Sequence, residues 1–416
     1  MMKSERGRTV EQEPRISPDA SGEGSRAVVA ARRWLAIGRS AFIRLFDQQG
    51  TWNRRLVVGL TVIIGLGLVL GLPDMIRVFP FNIDLEIMLR ASSHWSSGAP
   101  VYPPSAMLVS SGPDLPYLYP PFLLPLLAPI AALPRTLVSG VWLALGLMCA
   151  VWSCRRLAIP WPVIPFVLVW PPFAEGLVAG NIQIFCFGAF VALFYGPAGD
   201  TPIERTLLRA HDAINGLLAM AIGVFKATQM LPVLYLARRR FRAAAIGVCT
   251  VAALALVLLP LTGVALYWDW FAQLQRAADP SWTYGGVALG RLLRIPDIAV
   301  MVIGIVLALS VRGRNSVAWL GIALIVGTPS VHGYTFLFIL PGLLVVRRDL
   351  ALVIATLFAG VYHGYAWWIA FVLVVYLLVA GSRWQWLYAP EPAKPDDPTP
   401  DSRRRPEKPL VTTGPV

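Results

Sequence analysis

From residue 56 to residue 382 the chain passes through one apolar segment after another, and this succession constrains its fold more than any motif does. The segments run at about 56–73, 119–134, 136–153, 160–178, 182–197, 213–237, 243–268, 287–311, 316–331, 333–346, 350–364 and 366–382. Several have the length that an α-helix needs to cross a hydrocarbon core about 30 Å thick. The 416 residues are 56% hydrophobic and only 14% charged, whereas a soluble domain carries about 25% charge. So little charge cannot cover a water-facing surface. The chain therefore reads as an all-α, polytopic membrane protein with roughly ten to twelve spans, and soluble enzymes are set aside.

The formal net charge is +13. In a membrane chain an excess of Lys and Arg anchors cytoplasmic ends. No basic segment sits in a foldable soluble domain, so nucleic acid is not an expected partner. Cys149, Cys154, Cys186 and Cys249 lie in or beside apolar segments without metal-ligand spacing. They read as small buried hydrophobes, and no metal or cofactor is expected. The 15 Trp and 35 Pro residues fit interfacial belts and broken spanning helices.

Three regions follow. Residues 1–54 form a disordered or amphipathic cytoplasmic leader: 1–26 are polar, with no apolar stretch of signal-peptide type, and 27–47 read as a basic amphipathic helix for an anionic membrane surface or else as a disordered leader. Residues 55–382 form the membrane domain, and 383–416 a Pro-rich cytoplasmic tail. Arg54 and Arg55 precede the first span, which puts the loop 74–118 on the extracytoplasmic side. Two full spans at 119–134 and 136–153 would leave Arg155 and Arg156 outside, against the positive-inside rule. The conflict disappears if 119–134, with its five prolines, is a re-entrant piece. In that case 213–237 must break near Lys226. A continuous helix would instead leave Lys226 inside the membrane.

Asp84, Ile87, Met88, Ala91 and Trp95 share one helical face by their spacing. A carboxylate on an apolar face suits a general base, because desolvation raises its pKa; the alternative is a solvated loop aspartate. Lys226 stands alone in an apolar run and suits a phosphate, or else snorkels to an interface. His332, in GTPSVHGYTFLFILPG, could bind a phosphate or shuttle a proton. Arg291 lies one turn into a segment and could counter a phosphate. Asn181 and Gln183 open another segment and could read sugar hydroxyls or merely cap a helix. Glu175 is a rare carboxylate in an apolar run. Asp84 and Glu86 form a DxE spacing that leaves a cation open. Neither a phosphate-binding glycine loop nor a zinc-protease or serine-hydrolase motif occurs.

Taken in order, these elements resemble glycosyltransferase family 87, the polyprenyl-phosphate-mannose-dependent mannosyltransferases of the multi-spanning GT-C class. The resemblance covers roughly residues 55–346 and has five parts. The first loop carries Asp84, Ala91, Gly98 and Tyr102. A Tyr-Pro-Pro element beginning at Tyr119 opens YPPFLLPLLAPIAALP. Gly180-Asn181-Ile182-Gln183 stands for a polar helix start. GVFKATQMLPVLYLARRRFRAA holds Lys226 before an Arg-rich run, and TPSVHGYTFLFILP holds His332. Two details depart from the family pattern: the helix start is not a plain Gly-Gln, and Val331 replaces a common aromatic.

The resemblance implies a GT-C fold and a hexosyltransferase that moves mannose from polyprenyl phosphate mannose to a glycolipid or glycan hydroxyl. It implies transfer on the outer face of the cell membrane. Asp84 matches the catalytic acid of the first loop, His332 the late histidine near the donor phosphate and Lys226 the family's intramembrane lysine; Lys226 and Arg291 are expected to join His332 at the donor phosphate. Glu86, Tyr102, Tyr119, Asn181 and Gln183 are then expected to contact substrate. A lipid or lipid-linked sugar transporter is the alternative, since broken helices and an intramembrane lysine serve that too.

Overall fold

The structure, a computed structural model, describes residues 81–105, 115–157, 164–195, 211–226, 229–277, 288–311 and 316–346, with single positions such as Gly286 and Trp368. The leader, the first span, the segment 350–364 and the tail lie outside the described residues. The described residues are helical and contain no β-strand, only one isolated bridge between Gly286 and Val331. The all-α expectation holds for them.

Among the described residues, two helices are long and apolar enough to cross a membrane: α3, Arg135–Arg156, and α9, Phe241–Thr262. Each has 22 residues, about 33 Å at 1.5 Å per residue. Along α3 the residues Leu137, Val141, Leu145, Met148 and Trp152 form one exposed stripe, with Met148 66% exposed. Leu256 and Val257 on α9 are as exposed. Leaving such side chains in water forfeits roughly 1–2 kcal/mol each.

Most other apolar segments are broken, and the breaks fall at Pro and Gly. The segment 119–134 contains only α2, Leu123–Ala131, nine residues with Pro129 inside. That is about 14 Å long, half a membrane core. The segment 160–178 splits into α4, Ile164–Leu168, and α5, Pro171–Val178, where two prolines start the second helix. The following segment forms α6, Gln183–Tyr195. The segment 213–237 splits into α7, His211–Phe225, and α8, Leu231–Arg239. Lys226 is the first residue of that break, so the interrupted form is the one observed. α9 stops at Gly263, whose φ of 73° is left-handed, and α10 covers Val264–Ala277. Arg294 and Pro296 separate α11, Leu289–Leu293, from α12, Asp297–Ser310. The last segments form α13, Ser316–Val326, a 3₁₀ helix, Gly333–Ile339, and α14, Leu340–Val346.

The first-loop helix, α1, spans Ile83–Ser97 and ends at Gly98, whose φ of 75° lets its N–H return to the last turn. Ile87, Met88 and Ala91 are buried and Trp95 packs beside them, as their spacing predicts. Where α7 crosses α9, Gly216 and Gly247 bring the backbones together; a Cβ on Gly216 would overlap the Ala243 carbonyl. This packing fixes the end of α7, and with it Lys226.

Candidate active site

Two helix ends meet at the site. The N–H groups of Asn82 and Asp84 at the start of α1 donate to the carbonyls of Val178 (2.7 Å) and Ala179 (2.8 Å) at the end of α5. Orphan donors of one helix thus satisfy orphan acceptors of another. Gly180 lies in the joint with φ +64°, and a Cβ there would come within 2.7 Å of Asn82 Oδ1. Trp142 closes the joint by donating Nε1–H to the Gly180 carbonyl at 2.9 Å.

The joint sets Asp84 against the start of α6. Asn181 Nδ2 donates to Asp84 Oδ2 at 2.6 Å, and Asn181 Oδ1 accepts the Gln183 N–H at 2.7 Å. One amide therefore caps α6 and orients the carboxylate. Burial raises the Asp84 pKa above its ordinary value; the Asn181 hydrogen bond and the Lys226 charge oppose this but do not cancel it. Behind Asn181, the Gln183 and Gln229 side chains exchange hydrogen bonds at 3.1 and 3.3 Å. Gln229 also donates its backbone N–H to the Lys226 carbonyl at 2.7 Å.

Lys226 reaches the same place from the break after α7. Its charge interacts with those of Asp84 and Glu175, and Nζ lies 4.9 Å from the centre of the Tyr334 ring. His332 stacks on that ring at 5.3 Å between centroids, and its Nε2 is 3.3 Å from Ser330 Oγ. The bridge from Gly286 to Val331 ties the approach to α11 against the residue before His332. Arg291 on α11 acts electrostatically on His332, and its buried Nε has no partner among the described residues.

The structure thus brings together Asp84, Asn181, Gln183, Lys226 and His332, with Arg291 on the His332 side. Asp84, Lys226, His332 and Arg291 are half-buried, whereas Asn181 and Gln183 are sealed. The charged groups therefore keep some exposure while the amides beside them have none. Tyr119 interacts electrostatically with Asp84 and meets Phe225, the last residue of α7, at 6.4 Å between centroids. Tyr102 lies one layer out: its hydroxyl donates to the Tyr119 carbonyl at 2.8 Å, and Tyr117 stands between the two rings. Glu86 is not brought to the cluster. Its carboxylate lies 3.7 Å from Arg135 Nε, so the two acids of the DxE spacing do not converge, and no metal-binding acid, His or Cys group occurs among the described residues.

Four further residues belong to the site. Glu175 carried a signal, a carboxylate in an apolar run, but no assignable role. Gln229, three residues after Lys226, and Tyr334, two after His332, look like ordinary packing residues in the sequence. Tyr117 is hidden in the long first loop.

An oriented carboxylate beside Lys226, with Arg291 on the His332 side, on an all-α frame, is an arrangement that suits group transfer from an anionic leaving group. The chain belongs to glycosyltransferase family 87: the family model matches residues 117–328, just over half of its length. That range includes Tyr119, Asn181, Gln183, Lys226 and Arg291, while Asp84, Glu86, Tyr102 and His332 lie beyond it. Comparisons with curated proteins and with solved structures gave no match. The protein is a glycosyltransferase, and family membership together with the apolar helices supports a membrane protein.

Proposed function

We propose that the protein transfers mannose from polyprenyl phosphate mannose to a hydroxyl of a glycolipid or glycan. In this reading it is a GT-C enzyme with about ten to twelve spans in the cell membrane, and its site opens to the extracytoplasmic side. The observation that carries the reading is the Asp84 carboxylate, held at 2.6 Å by Asn181 in the same cluster as Lys226 and His332. The breaks in 119–134 and 213–237 favour the topology that returns Arg155, Arg156 and Arg238 to the cytoplasm.

The reaction is a single displacement. Asn181 occupies Oδ2 of Asp84, leaving Oδ1 for the acceptor hydroxyl. Asp84 takes that proton as the oxygen attacks the anomeric carbon. The bond from that carbon to the phosphate oxygen breaks, and polyprenyl phosphate departs with one more negative charge than the phosphodiester had. Lys226, His332 and Arg291 meet that growing charge. One displacement inverts the anomeric centre, so a β-linked donor gives an α-linked product. Tyr119 flanks the attacked sugar, with Tyr102 and Tyr117 buttressing it.

The test uses purified full-length protein in nanodiscs, radiolabelled polyprenyl phosphate mannose and a membrane lipid extract. Label passing to a new glycolipid with wild type, and not with Asp84→Asn, is the expected result. Donor that crosses a bilayer without transfer would replace this reading by transport.

A further inference from the structure

Glu175 takes no part in the mechanism above, yet it interacts electrostatically with both Asp84 and Lys226. It lies on α5, half-buried, among the otherwise apolar residues of PPFAEGLV. The Gly333 backbone N–H donates to its carboxylate. The approach leaves no room for a side chain at residue 333, where a Cβ would overlap Glu175 Oε2. At the next residue of α5, a Cβ on Gly176 would come within 3.3 Å of Tyr334 Cβ. The helix therefore meets Gly333 and Tyr334, the start of the 3₁₀ helix, through one carboxylate and one bare glycine.

The contact continues inward. Tyr334 follows Gly333 and carries His332 stacked at 5.3 Å and the Lys226 ammonium 4.9 Å from its ring centre. A continuous path thus runs from Glu175 through Gly333 and Tyr334 to both groups that face the donor phosphate. A neutral acceptor would satisfy one N–H with a smaller desolvation cost than a carboxylate. A carboxylate is retained here beside a lysine, with which it interacts electrostatically.

We propose that Glu175 is a positioning residue for the departing phosphate. By holding the Gly333 amide it fixes the start of the 3₁₀ helix, with His332 capping it and Tyr334 in its first turn, and through the Tyr334 ring it fixes Lys226. The proposal rests on the assignment of His332 and Lys226 to the donor phosphate.

Charge and anchoring predict opposite results. A carboxylate repels a phosphate, so charge alone makes both Glu175→Gln and Glu175→Ala bind phosphate more tightly. As an anchor, Gln still offers an oxygen to Gly333, whereas Ala leaves that N–H unpaired. The probe is a polyprenyl monophosphate, which carries no sugar and reports binding without turnover. Its dissociation constant is measured on the full chain in nanodiscs for wild type, Glu175→Gln, Glu175→Ala and Gly333→Ala, alongside transfer kinetics and melting temperatures. The expected result is wild-type binding, near-wild-type binding by Glu175→Gln, and losses of about tenfold for Glu175→Ala and Gly333→Ala, the effect of one lost hydrogen bond. Donor KM should rise more than kcat falls. Glu175→Ala binding as tightly as wild type, or more tightly, overturns the proposal and leaves the transferase reading intact. If Glu175→Ala does not fold, Gly333→Ala decides, and unchanged binding there overturns it. Wild type that turns over donor yet does not bind the probe removes the phosphate assignment and this proposal with it.

Discussion

Asn181 binds Asp84 through its amide nitrogen, at 2.6 Å, and the start of α6 through its amide oxygen, at 2.7 Å. One side chain therefore links the stability of a helix end to the aim of a base. Asn181→Ala should lower transfer about tenfold and cost about 1 kcal/mol of stability, the usual weight of a lost helix cap. Asn181→Asp keeps the cap but places a second carboxylate against Asp84, so it should be at least as inactive. Turnover numbers and melting curves of the two variants check this; an active Asn181→Asp would exclude the orienting role.

Asp84→Asn should reduce transfer by about 10²–10⁴-fold, the contribution of a general base. It should also stabilise the protein at neutral pH. The folded-state pKa of Asp84 is raised by burial, so its charged form weakens the fold above that pKa. The stability gain of the variant should shrink as the pH falls through the raised pKa toward the ordinary carboxylate value. Thermal unfolding at several pH values measures this, and a melting temperature below that of wild type at neutral pH would contradict it.

The same raised pKa sets the acidic limb of kcat/KM. That limb should lie above the pH of about 4 at which a solvated aspartate titrates. Removing the Lys226 charge, which favours the ionised carboxylate, should move the limb further up. A profile for Lys226→Met with an unmoved limb would separate the two residues.

Lys226→Met keeps the length of the side chain and removes its charge. Transfer should fall roughly 10–100-fold, the weight of a hydrogen bond to a charged group, with the loss falling mainly on donor use. Steady-state kinetics with the donor varied and then the acceptor varied distinguish the cases. A change confined to acceptor KM would reassign the lysine.

Gly180→Ala should destabilise the protein by roughly 2 kcal/mol, from the cost of a left-handed non-glycine residue and a displaced neighbour. The neighbour is Asn82, whose Oδ1 would be met at 2.7 Å. Since Asn82 starts the helix that carries Asp84, activity should fall beyond the loss of folded protein. Transfer per folded molecule, measured below the melting transition, tests this.

Much of this arrangement was legible in the sequence, because Pro and Gly act locally. The short helix after Tyr119 and the apolar face of the Asp84 helix follow from nearby residues. The break at Lys226 was one of two forms that the basic clusters left open, and the class of reaction followed from the resemblance to the family whose model matches residues 117–328. Tyr334, Gln229 and the role of Glu175 were not legible. Their importance lies in contacts between α5, the 3₁₀ helix and the break after α7, and spacing along the chain does not encode such contacts. The divergence of Glu86 from Asp84 is of the same kind. Two residues apart on a helix face different ways, and Arg135 then draws the second acid aside.

The link between α1 and α5 is made by main-chain atoms, from Asn82 and Asp84 to Val178 and Ala179. Every residue but proline supplies those groups, so drift in the first loop leaves the link standing. Substitutions around Tyr102 and Tyr117 can therefore reshape the packing beside Tyr119 while the Asp84 carboxylate keeps its place, and the two features are free to evolve apart.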